Sequence, residues 1–258
     1  MRAPDLRLSD LSPSVLVTEL FNRQLQARNR SAGSSPLITY YDDRSGERTE
    51  LSGISFANWV DKTAGLLADE LFIDGGQAIQ LDLARTAPLH WVGLVWIAAS
   101  WRIGCPVAVG DTADAAVTVV GPEAATDEPT GGGERVACSL HPLGLGFTAP
   151  LPAGVIDYGV EVRAQPDSYP GPYPDPAATA WIEDQHRLTQ SELITSSPAD
   201  GSTPARRTMI SPDLSEPLWI NVQRALVDPV ITGGSVVIMI GGDADRRSQI
   251  AAAERADT

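Results

Sequence analysis

The chain of 258 residues holds a single lysine, Lys62, so eighteen of its nineteen basic residues are arginine. Chemistry that needs a lysine later in the chain is excluded. Cys105 and Cys138 are the only cysteines, too few for a disulfide framework at this length. With three histidines and no G-x-S-x-G segment, a serine triad has no support. Long apolar runs are missing as well. The most apolar segment, residues 89–103, is shorter than the roughly 20 residues of a membrane span and carries His90 and Arg102 near its ends. The opening MRAPDLRLSDLSP has no apolar stretch suited to a signal peptide. Positive charge is scarce overall, with a net charge of −14. That balance excludes a protein that coats nucleic acid and disfavours an anionic membrane surface. It leaves room for a nucleotide ligand, which needs only a local site. The expectation is a cytoplasmic protein with no nucleic-acid and no membrane partner.

What is present suffices for a core: 43% of the residues are hydrophobic, and six are tryptophan. Ser12-Pro13 is a helix-start signal, followed by an apolar stripe of Leu16, Leu20 and Leu25 through about Arg28. Residues 36–41 (PLITYY) are strand-like, 42–46 form a turn, and 48–51 return as a hairpin arm. Ser55 is the expected cap of a helix to about Leu71, stopped by Gly75-Gly76. Residues 77–83 predict a strand. Thr86 is the expected cap of an all-round apolar helix over 89–103, ended by Gly104. Short strands follow at 106–109 and 116–120. This alternation predicts an α/β fold, a parallel-rich layered sheet with flanking helices.

Residues 123–134 predict a surface loop, and 135–140 and 155–162 further strands. Residues 165–176 contain five prolines and must be irregular. Beyond them the pattern predicts a weak helix over 186–194, a strand over 208–211 and a helix over 217–226. A turn at Gly233-Gly234, a buried strand over 235–240 and a final polar helix over 243–255 complete the chain. The expected organisation is one domain over 1–258 in two lobes, about 1–122 and 134–258, joined by loop 123–133.

Candidate motifs have ordinary readings. Gly131-Gly132-Gly133 and Thr232-Gly233-Gly234-Ser235 each precede a strand, whereas a phosphate loop needs a helix N-terminus behind it. They read as linker and turn. Cys138 and His141 are two possible metal ligands without a second pair, so no metal site is expected. Asp82 lies near a strand's carboxyl end, where open α/β sheets bind ligands. It reads more simply as the cap of the next helix.

The run ISFANWVDKTAGLLADEL, the strand QAIQLDL, the helix HWVGLVWIAASWRIGC and then PVAVG resemble the opening of the adenylate-forming, AMP-binding superfamily of acyl and aminoacyl ligases. The segment DPVITGGSVVI at 228–238 is similar to that family's P-L-l-x-G-G-t-v-v-l stretch. Short actinobacterial AMP-binding-like proteins are similar along the whole chain, including SLHPLG at 139–144. The resemblance implies a truncated AMP-binding-like domain corresponding to the N-terminal part of such enzymes. In the family, a Ser/Thr/Gly-rich loop with a lysine wraps the ATP phosphates, between a strand like 178–181 and a segment like 186–189. Here only Ile182-Glu183-Asp184-Gln185 lies between them. The family also supplies a catalytic lysine from a later domain, and this chain stops first.

The resemblance and its departures together imply a catalytically degenerate relative, a pseudoenzyme that binds a small nucleotide or acyl ligand or a protein partner. No catalytic residue and no cofactor are expected. The alternative is a carboxylate-adenylating ligase component that works with a partner chain. Arg187, Arg206 and Arg207 are the nearby cations that could stand in for lysine.

Overall fold

The computed structural model describes residues 20–110, 114–127 and 132–258. The helix start expected at Ser12-Pro13 lies outside them. The chain enters helix α1 (Phe21–Ala32), with Phe21 and Leu25 on its buried face. Strands β1 (Pro36–Asp42) and β2 (Glu47–Ser52) form the expected antiparallel hairpin. Helix α2 (Gly53–Gly65) is capped by Ser52, whose hydroxyl accepts from the Ser55 amide. The cap therefore sits three residues before the serine expected, because the chain turns into the helix straight from the strand. The helix widens into a π turn over Leu66–Glu70 and stops before Gly75-Gly76.

After β3 (Ile79–Leu81) comes a separate short helix, α3 (Leu83–Thr86). Thr86 ends that turn rather than capping the apolar helix. Asp82 precedes α3, yet its side chain makes no cap bond and accepts from the Gln80 side-chain Nε2 at 2.9 Å. The apolar helix α4 (Trp91–Ile103) is capped by His90, whose Nδ1 accepts from the Val92 amide at 3.2 Å. Gly104 ends it in the left-handed region, which glycine enters without steric cost.

Strands β4 (Val107–Val109), β5 (Val117–Val120), β6 (Glu134–Ala137) and β7 (Val155–Asp157) follow. The strand expected over 155–162 turns into helix α5 (Tyr158–Ala164) halfway, because the Asp157 carboxylate accepts from the Gly159 amide and starts a helix. Strands β8 (Thr179–Glu183) and β9 (His186–Thr189) form a hairpin, with a short helix α6 (Glu192–Thr195) behind it. The expected weak helix over 186–194 is thus strand in its first four residues and helix only from Glu192. The last elements are β10 (Arg207–Ile210), α7 (Leu218–Val222), a π turn (Gln223–Val227), α8 (Asp228–Thr232), β11 (Ser235–Ile240) and α9 (Ala244–Glu254).

Two sheets result. The first runs β10-β11-β1-β2, and the second β7-β6-β5-β3-β4-β8-β9. In the second sheet every neighbouring pair is parallel except β8 with β9. This is the parallel-rich α/β architecture the alternation predicts. Strands from both sides of residues 123–133 are hydrogen-bonded neighbours: β5 pairs β6, and β1 pairs β11.

Helix α4 links the layers. Twelve of its thirteen residues are buried, which needs neighbours on every side. Trp101 meets Phe21 of α1 edge-on at 5.2 Å, donates to the Ala180 carbonyl of β8 at 3.0 Å, and lies 6.3 Å from Trp219 of α7. One apolar cluster joins Ile38 and Ile238 of the first sheet to Ile79, Val119 and Trp181 of the second.

The proline-rich stretch 165–176 has no helix or strand, as expected, but it is strapped down. Arg102, almost fully buried, donates to the carbonyls of Tyr169, Gly171 and Pro172 at 2.7–3.0 Å. Its guanidinium also stacks on Tyr169 and Tyr173. Lys62 holds the start of the stretch through the Gln165 carbonyl and Asp167. Proline leaves these carbonyls without a ladder partner, and the guanidinium satisfies three of them at once.

Candidate functional site

In a parallel sheet, ligands bind outside the carboxyl ends of the strands. Here β3, β4 and β8 end around a cleft of about 470 Å³, lined among others by Arg85, Gly110, Glu183, Asp184 and Asp213. The far wall is the segment leading into α7. Asn221 shapes that wall: it accepts from the Asp213 amide at 2.8 Å and donates to the Asp213 carbonyl at 2.9 Å.

Glu183 is the central residue. It is the last residue of β8, and the turn Asp184-Gln185 joins it directly to His186 of β9. Asp184 takes a left-handed φ of 50°, which a short polar side chain tolerates. The Glu183 carboxylate collects three donors. The amides of Leu218 and Trp219 at the start of α7 donate to it at 2.6 and 3.0 Å, and the Trp181 indole at 3.2 Å. Trp181 is itself buried against Trp219, ring centres 5.6 Å apart, so the donors are fixed in place. Backbone amides at a helix start plus a side-chain N–H make a ready anion seat. In this chain the seat is filled from within.

The remaining charge in the cleft is mostly negative. Asp184, Asp213 and Glu216 share the wall with Glu183. The Ser215 hydroxyl and amide hold the exposed Asp213 carboxyl below the usual carboxylate range. Glu216 is paired with Arg224 at 2.6 Å. The Arg85 side chain is exposed and makes no hydrogen bond or ion pair with the described residues. Among the described residues, no group of three or more His, Cys, Asp or Glu side chains is placed to hold a metal ion.

The other residues singled out in the sequence lie elsewhere. Arg206 and Arg207 sit on the first sheet, paired with Asp257 and Glu254 at 3.1 and 2.6 Å. Arg187 is exposed on β9, opposite Ile182. Cys138 is buried in the core, its thiol pushed well above its ordinary value by that burial. His141 accepts from the Leu143 amide at 3.1 Å and braces its own loop. Gly132 and Gly133 lead into β6, while Gly131 is outside the described residues; Gly233 ends α8 with φ 73°. The sequence signal for Glu183 was its place in the short β8–β9 connection. Its amide partners, 35 and 36 residues away, left no local signal.

No family model matches the chain. A Mycobacterium tuberculosis protein described as a TIGR03089 family protein is 35% identical over 165 residues, 60% of this chain and 66% of that protein. Among solved structures, a Brucella canis acyl-CoA synthetase superposes with a TM-score of 0.69 at 12% identity, over 96% of this chain and 50% of that one. The N-terminal domain of FACL13 from Mycobacterium tuberculosis gives 0.67 at 12% identity, over 92% of this chain and 61% of the other. The anthranilate CoA ligase AuaEII gives 0.61 at 13% identity, over 90% and 46%. The fold is therefore that of the N-terminal domain of adenylate-forming enzymes, and the chain spans about half the length of the solved synthetases it matches. No helix among the described residues is long and apolar enough to cross a membrane.

Proposed function

We propose that this chain is a non-adenylating relative of the N-terminal region of AMP-forming acid ligases, acting by binding rather than by turnover. The observation that carries this reading is Glu183. Adenylation expels pyrophosphate, so a site must gather donors and cations around several negative charges. At the carboxyl edge of the second sheet, the amides that could face a phosphate already hold the chain's own carboxylate. The β8–β9 connection is a tight turn with no glycine-rich backbone to wrap a triphosphate. Three further carboxylates repel one. The residues present do not fit the triphosphate of ATP. The reading extends to a small acyl or nucleotide ligand, or a protein partner, bound without chemistry.

The test is carboxylate-dependent exchange of labelled pyrophosphate into ATP, over fatty, aromatic and amino acids. The expected result is no exchange above a no-protein control. Clear exchange with any one acid overturns the reading and favours a carboxylate-adenylating ligase component acting with a partner chain. The fold shared with acyl-CoA synthetases makes that component the rival to exclude.

A further inference from the structure

The first sheet has its own cleft, at the opposite end of its strands. The starts of β1, β10 and β11 meet the ends of α1 and α9 around about 460 Å³ of space. Its lining includes Arg28, Arg206, Arg207 and Arg255 against Glu50 and Glu254. In a chain of net charge −14, four arginines around one cleft are a local inversion of sign.

Arg28 is only 5% exposed. Its guanidinium donates to the carbonyls of Gly234, Pro36 and Ala32 at 2.8–3.3 Å, all of them neutral acceptors. It forms no ion pair with a carboxylate among the described residues, and burial lowers its pKa. A buried charge without a counter-charge is costly. Arg255 follows α9 with a left-handed φ of 53° and makes no side-chain hydrogen bond or ion pair with the described residues. Glu254 is shared between Arg207 at 2.6 Å and Arg48 at 2.9 Å. Glu50 is shared by the same two arginines, and Asp257 takes Arg206. Counting Arg48 and Asp257, which pair with lining residues from outside the cleft, five arginines meet three carboxylates, a surplus of two positive charges.

We propose that this cleft binds a small phosphorylated ligand, its phosphate taken as the dianion by Arg206 and Arg255 over the buried Arg28. A dianion matches the surplus. Guanidinium forks bind phosphate oxygens in pairs, and the cleft is large enough for the body of a small metabolite besides the phosphate. The site lies on the other sheet from Glu183 and does not rest on the reading of that edge.

Inorganic phosphate is the probe, titrated at constant ionic strength into the full chain. The readouts are the Arg Nε–H resonances in ¹⁵N spectra and the melting temperature. The expected result is a saturable shift of the Arg28 resonance with a rise in melting temperature, since a ligand that binds only the folded state stabilises it. The variant R206Q/R255N should bind at least tenfold more weakly and melt as the wild type does without phosphate. Asn is the choice at 255 because it accepts a left-handed φ. Should the double variant not fold, Arg255→Asn alone carries the comparison. Binding should also weaken as the pH falls through the second ionisation of inorganic phosphate, where the dianion takes up a proton and loses its second charge. Absence of saturation, the same response to chloride, or wild-type affinity in the variants overturns the proposal.

Discussion

The two sheets end in clefts of opposite character. At the carboxyl edge of the second sheet four carboxylates face the opening, and the start of α7 there is occupied by Glu183. At the amino edge of the first sheet four arginines face the opening, and two of them have no carboxylate partner among the described residues. The fold's ordinary ligand edge is thus self-satisfied, while the edge that a parallel sheet seldom uses holds unspent charge. A net charge of −14 conceals this, because binding depends on local fields and not on the sum.

Both edges hang from α4, so the largest effect comes from breaking it. Trp96 is fully buried. Trp96→Asp would place an unpaired charge in the core and should cost more than about 4 kcal/mol, leaving little folded protein. Thermal denaturation followed by circular dichroism measures it; a variant with wild-type melting would remove α4 from the core.

A smaller effect is expected at the strap that leads into β8. Arg102→Ala removes three hydrogen bonds from a charged donor and should destabilise by about 2–3 kcal/mol. Residues 165–176 should then become the first site of limited proteolysis, whereas in the wild type they are expected to resist it. This differs from what five prolines alone suggest, namely exposed and easily cut backbone. Early cleavage there in the wild type would show that the strap does not hold.

Glu183 separates the two edges directly. Glu183→Ala leaves the amides of Leu218 and Trp219 and the Trp181 indole without their acceptor, a loss of about 1–2 kcal/mol in urea denaturation. Pyrophosphate exchange should stay absent in that variant, and phosphate binding at the arginine cleft should be unchanged. A change in phosphate affinity would mean that the clefts are coupled through the core.

These residues also mark what the sequence could disclose. The β1–β2 hairpin, α4 with its Gly104 stop, and β11 were legible because each follows a local periodicity bounded by a local signal. Caps were misplaced by three or four residues, at Ser52 and His90, where several polar residues compete and only the incoming chain direction decides. The switch from β7 to α5 at Asp157 was hidden by a strand-like alternation of Ile156, Tyr158, Val160 and Val162 with Asp157, Gly159 and Glu161. The short stretch 182–185 stood out only through the resemblance, and β9 after it was expected as a weak helix. What Glu183 does there could not be read, nor could the bond from Arg28 to Gly234, 206 residues away. Such contacts exist only once the sheets are assembled.

The smallest effect expected is a difference in acid stability between the edges. Burial alone would raise the Glu254 carboxyl, but hydrogen bonds from Tyr41, Arg207 and Arg48 outweigh it and hold its pKa at about 2. A carboxylate whose pKa is depressed on folding contributes stability above its ordinary value of 4.5, and that contribution is lost as pH falls toward 2. Glu254→Gln should therefore cost about 1 kcal/mol at neutral pH, since the group is partly screened by solvent. The gap between wild type and variant should close as the pH drops from about 4.5 to about 2. At the other edge, Asp213 is also depressed, but it is exposed and held by neutral Ser215 donors. Asp213→Asn should leave the acid limb almost unchanged. Urea denaturation of the three proteins across this pH range tests the contrast: equal acid limbs for Glu254→Gln and the wild type would mean that the arginines around Glu254 are satisfied by solvent, and that the amino edge carries no structured charge to offer a ligand.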